Sequence, residues 1–398
     1  MTGYLIRRFF QMIIVVLLSA VVSYALLNLA PGGPLAGLKQ TQQSSRFRIT
    51  AEDIARIRAY YELDLYLPFR FSRWLIGEPR GPIKIGSLEL FANNHVGCRV
   101  TIDAVIRANG QDQTRIIGCS QYVYLKNLVG RDTSRGILFL DFGRSWTIAR
   151  AQPVSSLLLS RLPYTVKLIG FSTLLALIIG IPIGIYSAVK QYSRFDYTFT
   201  SMAFVGSAMP TFFFGVLMIL FFSIIPYTRG WIYLPPGGSA AVRDYIIPGL
   251  GNIKADSALD QILHIILPVA VLTIVSISGW SRYIRASMLD VLRQDYVRTA
   301  RAKGLLERMV VVKHALRNAL IPFITIVVFS LPGLFGGAII TESVFNWPGM
   351  GRLYFTALGQ YDYPVAMSIL FITAILTVIA TLLRDILYTI ADPRIRFS

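Results

Sequence analysis

Apolar runs of about 20 residues, enough to cross about 30 Å of hydrocarbon as a helix, recur along this chain at 9–29, 163–189, 199–226, 263–284, 319–341 and 364–388. Residues 31–162, between the first run and the second, are more polar. Within them, alternation in "IKIGSLELF", "CRVTIDAVI" and "CSQYVYL", broken by Asn-Asn and Asn-Gly, predicts three or four short strands with hairpin turns over 77–136. The expected fold class is an all-α polytopic membrane protein with six transmembrane helices and a small β-containing insert between helices one and two. The expected parts are a first transmembrane helix over 1–30, a loop over 31–162 that holds the insert, and a five-helix core over 163–398.

Charge gives this pattern a direction. With the N-terminus inside, the short inner segments hold Arg7, Arg8, Lys190, Arg194, Arg293, Arg298, Arg301, Lys303, Arg308, Lys313, Arg317, Arg384, Arg394 and Arg396, against Arg229, Arg243, Lys254 and Arg352 in the short outer loops. Basic residues favour the cytoplasmic side, so a multi-pass protein of the cell membrane with both termini cytoplasmic is expected, and the 31–162 loop is extracytoplasmic. Much of the net charge of +18 has this topological reading, so no nucleic-acid partner is needed. Hydrophobic residues make up 54% and charged ones 15%, where soluble domains carry roughly a quarter charged. Arg7 and Arg8 before the first run also fit a signal peptide. That run is longer than an h-region of about 7 to 15 residues, and Pro31 follows Ala30, so a retained helix is expected.

The candidate chemistry is sparse. Ionisable residues lie near span ends, as with Lys167, His264, Arg282, Arg384 and Asp385, whereas ion-coupled transport places such groups near mid-membrane. His95, His264 and His314 are too scattered for haem ligation. No HExxH, GxSxG or Gly-Lys dipeptide occurs, which removes the zinc, nucleophile-elbow and Walker A readings. No catalytic residue, metal site or cofactor is expected in this chain. Pro182, Pro210, Pro268, Pro322 and Pro332, with Gly333, Gly336 and Gly337, read either as helix packing or as kinked walls of a substrate path.

One basic stretch, "QDYVRTARAKGLLERMVVVKHALRNALIP", interrupts the oily pattern. Spacing predicts one helix from Tyr283 to Lys303, with Val291, Leu292, Tyr296, Thr299 and Ala300 on one face. Gly304 fits a left-handed cap. A second helix starts near Leu306, with Glu307 in its first turn and Lys313, His314 and Arg317 toward its end. A basic lipid anchor and a docking element for a cytosolic protein are the two readings of this stretch.

"YVRTARAKGL" followed by "VVKHALRNALIP" resembles the EAA loop of ABC importer permeases, in the form of dipeptide and oligopeptide transporters. The resemblance implies that residues 288–318 form a coupling loop seated in a groove of an ATPase subunit. Carried over by position, Thr299, Ala300, Arg301, Ala302, Lys303, Gly304 and Leu305 are the contact set, and Arg317, Asn318 and Pro322 match the motif's trailing half; Arg298 stands where the naming acidic residue is expected. "YLIRRFFQMIIVVLLSAVVSYALLNLAPGGP", "ITAEDIARIRAYYELDLYLPFRFSRWL", "LDFGRSW", "LPYTVKL", "TESVFNWPGMGRL" and "DPRIRFS" extend the likeness to most of the chain outside 77–136, with Gly33 where an Asp is expected.

The resemblance is to the first of two permease subunits, and it implies a type I importer fold working by alternating access. The implied partners are a second homologous permease as a heterodimer, two subunits that bind ATP and Mg, an extracytoplasmic substrate-binding protein and the lipid membrane. Dipeptides or oligopeptides are the implied cargo; oligosaccharides or nickel complexes, or a non-transporting scaffold, are the alternatives. Cys98 and Cys119, the two cysteines of the chain, both fall in the insert on the oxidising side. A disulfide between them is expected, with two buried thiols as the alternative. In "TESVFNWPGMGRL", the residues Trp347, Pro348, Gly349, Met350, Gly351 and Arg352 are candidates for contact with the binding protein, or for an interface belt.

Overall fold

The computed structural model describes residues 2–29, 51–86, 88–108, 111–131, 133–330, 332–333 and 338–391. The chain falls into two compact units: one made of Met1–Ser19, Leu158–Phe355 and Ile369–Ser398, the other of Ala20–Leu157 and Thr356–Ser368.

Among the described residues, five helices are long and apolar enough to cross a membrane, at Ile6–Asn28, Val154–Val189, Thr211–Thr228, Ala258–Leu292 and Tyr363–Ile390. A bent pair, Glu307–Ala319 with Phe323–Ser330, makes a sixth candidate. In chain order the helices are α1 (Thr2–Leu29), α2 (Ala51–Tyr60), α3 (Leu67–Ile76), α4 (Val154–Val189), α5 (Arg194–Ala208), α6 (Thr211–Thr228), α7 (Ala258–Leu292), α8 (Asp295–Ala302), α9 (Glu307–Ala319), α10 (Ile321–Ser330), α11 (Ile339–Val344), α12 (Met350–Gly359) and α13 (Tyr363–Ala391).

Three spans differ from expectation. The second starts at Val154 instead of 163, because α4 takes Pro163 into its interior. Membrane helices tolerate such a break when neighbours satisfy the freed backbone groups. The third is cut into α5 and α6 at Met209 and Pro210, whose ψ values of 126° and 132° are extended; proline cannot donate the N–H a continuous helix needs, and it pushes the residue before it out of helical geometry. The fifth bends by 58° between α9 and α10, where Pro322 falls in the first turn of α10. Gly336 and Gly337 of that span lie outside the described residues.

Starts are better marked. Ser193 caps α5 by accepting from Asp196 N at 3.2 Å, and Ser257 caps α7 by accepting from Asp260 N at 3.3 Å, each satisfying one orphan donor. The first unit also holds a short hairpin of β5 (Tyr245–Ile247) and β6 (Gly251–Ile253).

The second unit contains the insert. "IKIGSLELF" is not one strand but the hairpin of β1 (Ile83–Ile85) and β2 (Leu88–Leu90), turned by Gly86 at φ +63°. β3 (His95–Ala108) and β4 (Gln111–Tyr124) form a longer antiparallel ribbon of 14 residues each. Asn109 and Gly110, the expected turn, lie outside the described residues. Cys98 and Cys119 are bonded, with an S–S distance of 1.97 Å.

Polar pins hold this ribbon to the preceding segment. Tyr66 N donates to Val96 O at 2.9 Å and Cys98 N to Asp64 O at 2.6 Å, while both Arg131 Nη atoms donate to the Asp64 carboxylate. A Cβ on Gly97 would lie 2.0 Å from Asp64 O, so only glycine fits this crossing. Arg73, fully buried, donates to Glu62 and to the Pro79 carbonyl. In the same unit, Tyr24, Tyr363 and Met367 pack with Phe71, Trp74 and Trp146. The buried Asp362 carboxylate accepts from Ser145 Oγ and from the N–H groups of Trp146, Thr147 and Ile148.

Candidate functional site

The basic stretch forms a corner, and it is not built as spacing implies. The helix expected from Tyr283 to Lys303 is interrupted: α7 ends at Leu292, Gln294 is extended, and α8 starts afresh at Asp295, whose charge suits a helix N-terminus. Neither Gly nor Pro marks this break, and a two-residue interruption leaves the apolar period nearly in phase. The buried face of α8 is Val297 and Ala300, packed on Val310 of α9 and on Val291 and Leu292. Tyr296 and Thr299, expected on that face, are exposed.

Gly304 makes the corner at φ +76°. Its N–H donates to Arg301 O at 2.9 Å, and Lys303 N donates to Thr299 O at 3.1 Å, consuming carbonyls left open by the end of α8. Arg301 reaches across to Glu307 with contacts of 3.1 and 2.7 Å. This carboxylate holds the Arg301 proton more firmly than usual. Both side chains are about half exposed, so the bridge steers the corner's angle and adds at most about 1 kcal/mol.

Every residue from Arg301 to Met309 is exposed. At its tip Leu306 keeps 73% of its surface open, with Leu305 and Met309 beside it. Arg298, Arg301, Lys303 and Arg308, all exposed, flank these apolar side chains along the chain. An exposed apolar knob in a basic stretch fits the anatomy of a protein contact, with an apolar centre and a polar rim.

Behind the knob the packing is continuous. Val310 meets α8, while the next residue, Val311, joins Ala315 and Ala319 of α9 in a core with Ile284 and Met288 of α7, Ala188 of α4 and Phe323 of α10. Val310–Leu316 is wound as a π-helix, an irregularity frequent at functional sites. Asn318 Nδ2 donates to Tyr296 OH at 2.8 Å and ties α9 to α8.

The 346–352 segment is a second, different turn. Trp347 is only 2% exposed, and its Nε1 donates to Tyr164 O at 3.1 Å. Met350, Gly349 and Gly351 are also buried, Pro348 and Arg352 partly so. The indole therefore belongs to an internal core with Leu168 and Val269, rather than to an aromatic belt. The turn is organised by Glu342, a fully buried carboxylate that sequence reading passed over. Glu342 accepts from Thr165 Oγ1 at 3.2 Å and from Arg352 N at 2.8 Å, while Thr165 Oγ1 accepts from Met350 N. Burial pushes its pKa up, against the lowering effect of the N–H donors. Among the described residues, no three His, Cys, Asp or Glu side chains converge as a metal site.

Residues 180–397 match the family model described as "Binding-protein-dependent transport system inner membrane component". The oligopeptide transport system permease protein AppB of Bacillus subtilis is 45% identical over 257 residues, 65% of this chain and 76% of that one. The dipeptide transport system permease protein DppB of Escherichia coli K12 is 36% identical over 272 residues, 66% of this chain and 78% of that one. The di/tripeptide transport system permease protein DppB of Pseudomonas aeruginosa is 38% identical over 246 residues, 60% of this chain and 72% of that one. A solved structure of the MetNI methionine ABC transporter, inward facing, aligns with a TM-score of 0.45 at 17% identity over 60% of this chain and 97% of its own, too slight a likeness to carry weight. The match over more than half of its length, together with relatives at this identity, places the chain in the family of inner membrane components of binding-protein-dependent transport systems.

Proposed function

We propose that this chain is one of two membrane-spanning permease subunits of an ABC importer for dipeptides or oligopeptides, and that residues 295–309 are its contact with an ATPase subunit. The observation that carries this reading is the exposed apolar knob of Leu305, Leu306 and Met309, set in a basic stretch and backed by a packed core. A lipid anchor needs only basic and apolar residues; it does not need a fixed corner with tightly packed alanines beneath it. The relatives named for peptide transport support the cargo.

In this reading the corner is cytoplasmic and both chain ends lie on that side. The partners are a second, homologous permease, two subunits that bind ATP and Mg, and a binding protein that delivers peptide from outside. ATP hydrolysis takes place in the partner subunits. Closure of the ATPases moves the knob; the α8 and α9 core passes that displacement to α7 and α4, and the spans exchange inward-facing for outward-facing access. Such a shift requires only that the partner bind the two arrangements with different affinity.

The test is gentle extraction from the native membrane through a C-terminal tag, followed by reconstitution of the recovered assembly with its binding protein. Recovery of a second permease and Walker-motif ATPases, with ATP-dependent uptake of labelled peptide, is the expected result. A chain recovered without ATPases, under conditions that preserve other transport complexes, overturns the proposal.

A further inference from the structure

The packed core behind the knob draws on α4, α7, α8, α9 and α10, and α5 contributes no residue to it. Yet α5 leads directly, through the Pro210 break, into α6. Toward its other end α7 meets α6 directly, Leu267 and Val271 clustering with Phe214, Met218 and Ile219; near the corner, the connection to this span runs through α5.

Helix α7 holds α5 there. Arg285 Nε donates to Asp196 Oδ1 at 2.7 Å and Arg285 Nη2 to Oδ2 at 2.8 Å, a two-pronged pair between α7 and the first turn of α5. Asp196 is 2% exposed and further held by Tyr192 N and Thr200 Oγ1. Arg285 follows Ile284 and precedes Met288 by less than one turn, so a single turn of α7 gives apolar side chains to the corner's core and a cation to α5. Two turns earlier on the same stripe, Ser278 Oγ would lie 2.4 Å from a Cβ on Gly206, so the α5 backbone there packs directly on the Ser278 side chain of α7. Arg282 stacks over Phe204 between these two points, 4.8 Å from the ring centroid. A recess of about 10 Å³ beside the pair, lined by Ser187, Thr200, Ser281 and Arg282 among others, has room for about one water.

Bidentate guanidinium–carboxylate pairs fix direction as well as distance. An apolar contact between smooth helices lets them slide; a buried fork does not. We propose that the Asp196–Arg285 pair is the positioning pin that makes α5 follow α7, carrying movement of the corner into the Pro210-interrupted span α6. This rests on the coupling role proposed for the Gly304 corner.

The experiment uses the whole complex of both permeases, ATPases and binding protein in liposomes, and reads ATP hydrolysis with and without peptide-loaded binding protein. Asp196→Asn and Arg285→Gln are expected to assemble, to keep basal hydrolysis, and to lose about 5-fold or more of the stimulation. The exchanged double variant, Asp196→Arg with Arg285→Asp, is expected to recover part of it. Arg285→Lys keeps the charge and loses the fork, so an intermediate stimulation is expected.

Normal stimulation in assembled Asp196→Asn and Arg285→Gln complexes overturns the pin. If those two fail to assemble, normal stimulation in Arg285→Lys overturns it instead. Failure of all three to assemble, with assembly restored by the exchange, makes the pair a folding element and also overturns it. Gly304→Trp separates the two levels of the argument. Loss of stimulation in Gly304→Trp, with none in the Asp196 and Arg285 variants, sinks the pin alone; intact stimulation in Gly304→Trp sinks the coupling role of the corner.

Discussion

Gly304 and Gly349 each turn the chain in a segment that resembles a family motif, but for opposite reasons. At Gly304, no atom of the described residues lies within 4 Å of where a Cβ would be, and the residue is required by its φ of +76°. At Gly349 a Cβ would lie 2.3 Å from the Glu342 carboxyl group. One glycine leaves the space outside the turn open; the other leaves the inside free for a buried carboxylate. The first arrangement suits a surface awaiting a partner, the second a turn that completes itself.

Gly349 is the more sensitive of the two positions. Gly349→Ala puts a methyl group into Glu342, which Thr165 and the Arg352 backbone hold in place, and overpacking of this kind costs about 3 kcal/mol at the upper end of its usual range. The expected outcome is low yield and a lowered thermal midpoint of the purified complex, whether or not peptide is present. A normal midpoint would show that the turn can rearrange, and the contrast between the two glycines would fall.

Gly304→Trp is expected to do less to folding and more to function. Its own cost is the left-handed backbone, about 1 to 2 kcal/mol, and its Cβ meets no atom of the described residues within 4 Å. Insertion should persist while peptide-stimulated ATP hydrolysis is lost. Gly304→Asn, which tolerates the same conformation, should retain most of that stimulation. Equal loss in both variants would assign the effect to backbone strain rather than to a filled contact.

The smallest effect sharpens the other side. Glu342 has a folded pKa raised above its ordinary 4.5 by burial. A folded state that holds the proton more tightly is favoured below the unfolded pKa, and loses that advantage as pH rises through the folded pKa. The thermal midpoint of the native protein should therefore fall relative to Glu342→Gln as pH is raised from about 4 toward neutrality. Parallel midpoints across that range would mean that the carboxylate is better solvated than its surroundings indicate.

Much of this architecture is legible in the residue pattern because hydrocarbon imposes a length. Six candidate spans follow from runs of apolar residues, and Gly304 follows from one glycine between two helical periods. Breaks within spans are less visible: Pro210 marks one, but the Gln294 interruption carries only the weak signal of Asp295 at a new helix start. Long-range polar contacts leave still less trace. Asp196 and Arg285 are 89 positions apart, and each by itself reads as a charge near a membrane edge. Glu342 lies within a recognised phrase, yet its partner Thr165 is 177 positions away, so the turn's internal order needs the fold. In the insert the alternation of residues located the strands, but one apparent strand proved to be a hairpin because Gly86 reverses the chain.

The neck of the insert has a consequence of its own. A Cβ on Gly77 would lie 2.6 Å from Ser134 O, and one on Gly136 would lie 2.5 Å from Ile76 Cα, so the chain leaves and returns at almost the same point. A segment with adjoining ends can lengthen, shorten or be exchanged in the course of descent without rethreading what stands on either side. Residues 77–136 are in that sense a cartridge: the chain closes from Ile76 to Ile137 at their neck, and what must persist within them is the set of contacts that grips the preceding segment, Gly97 and Arg131 on Asp64.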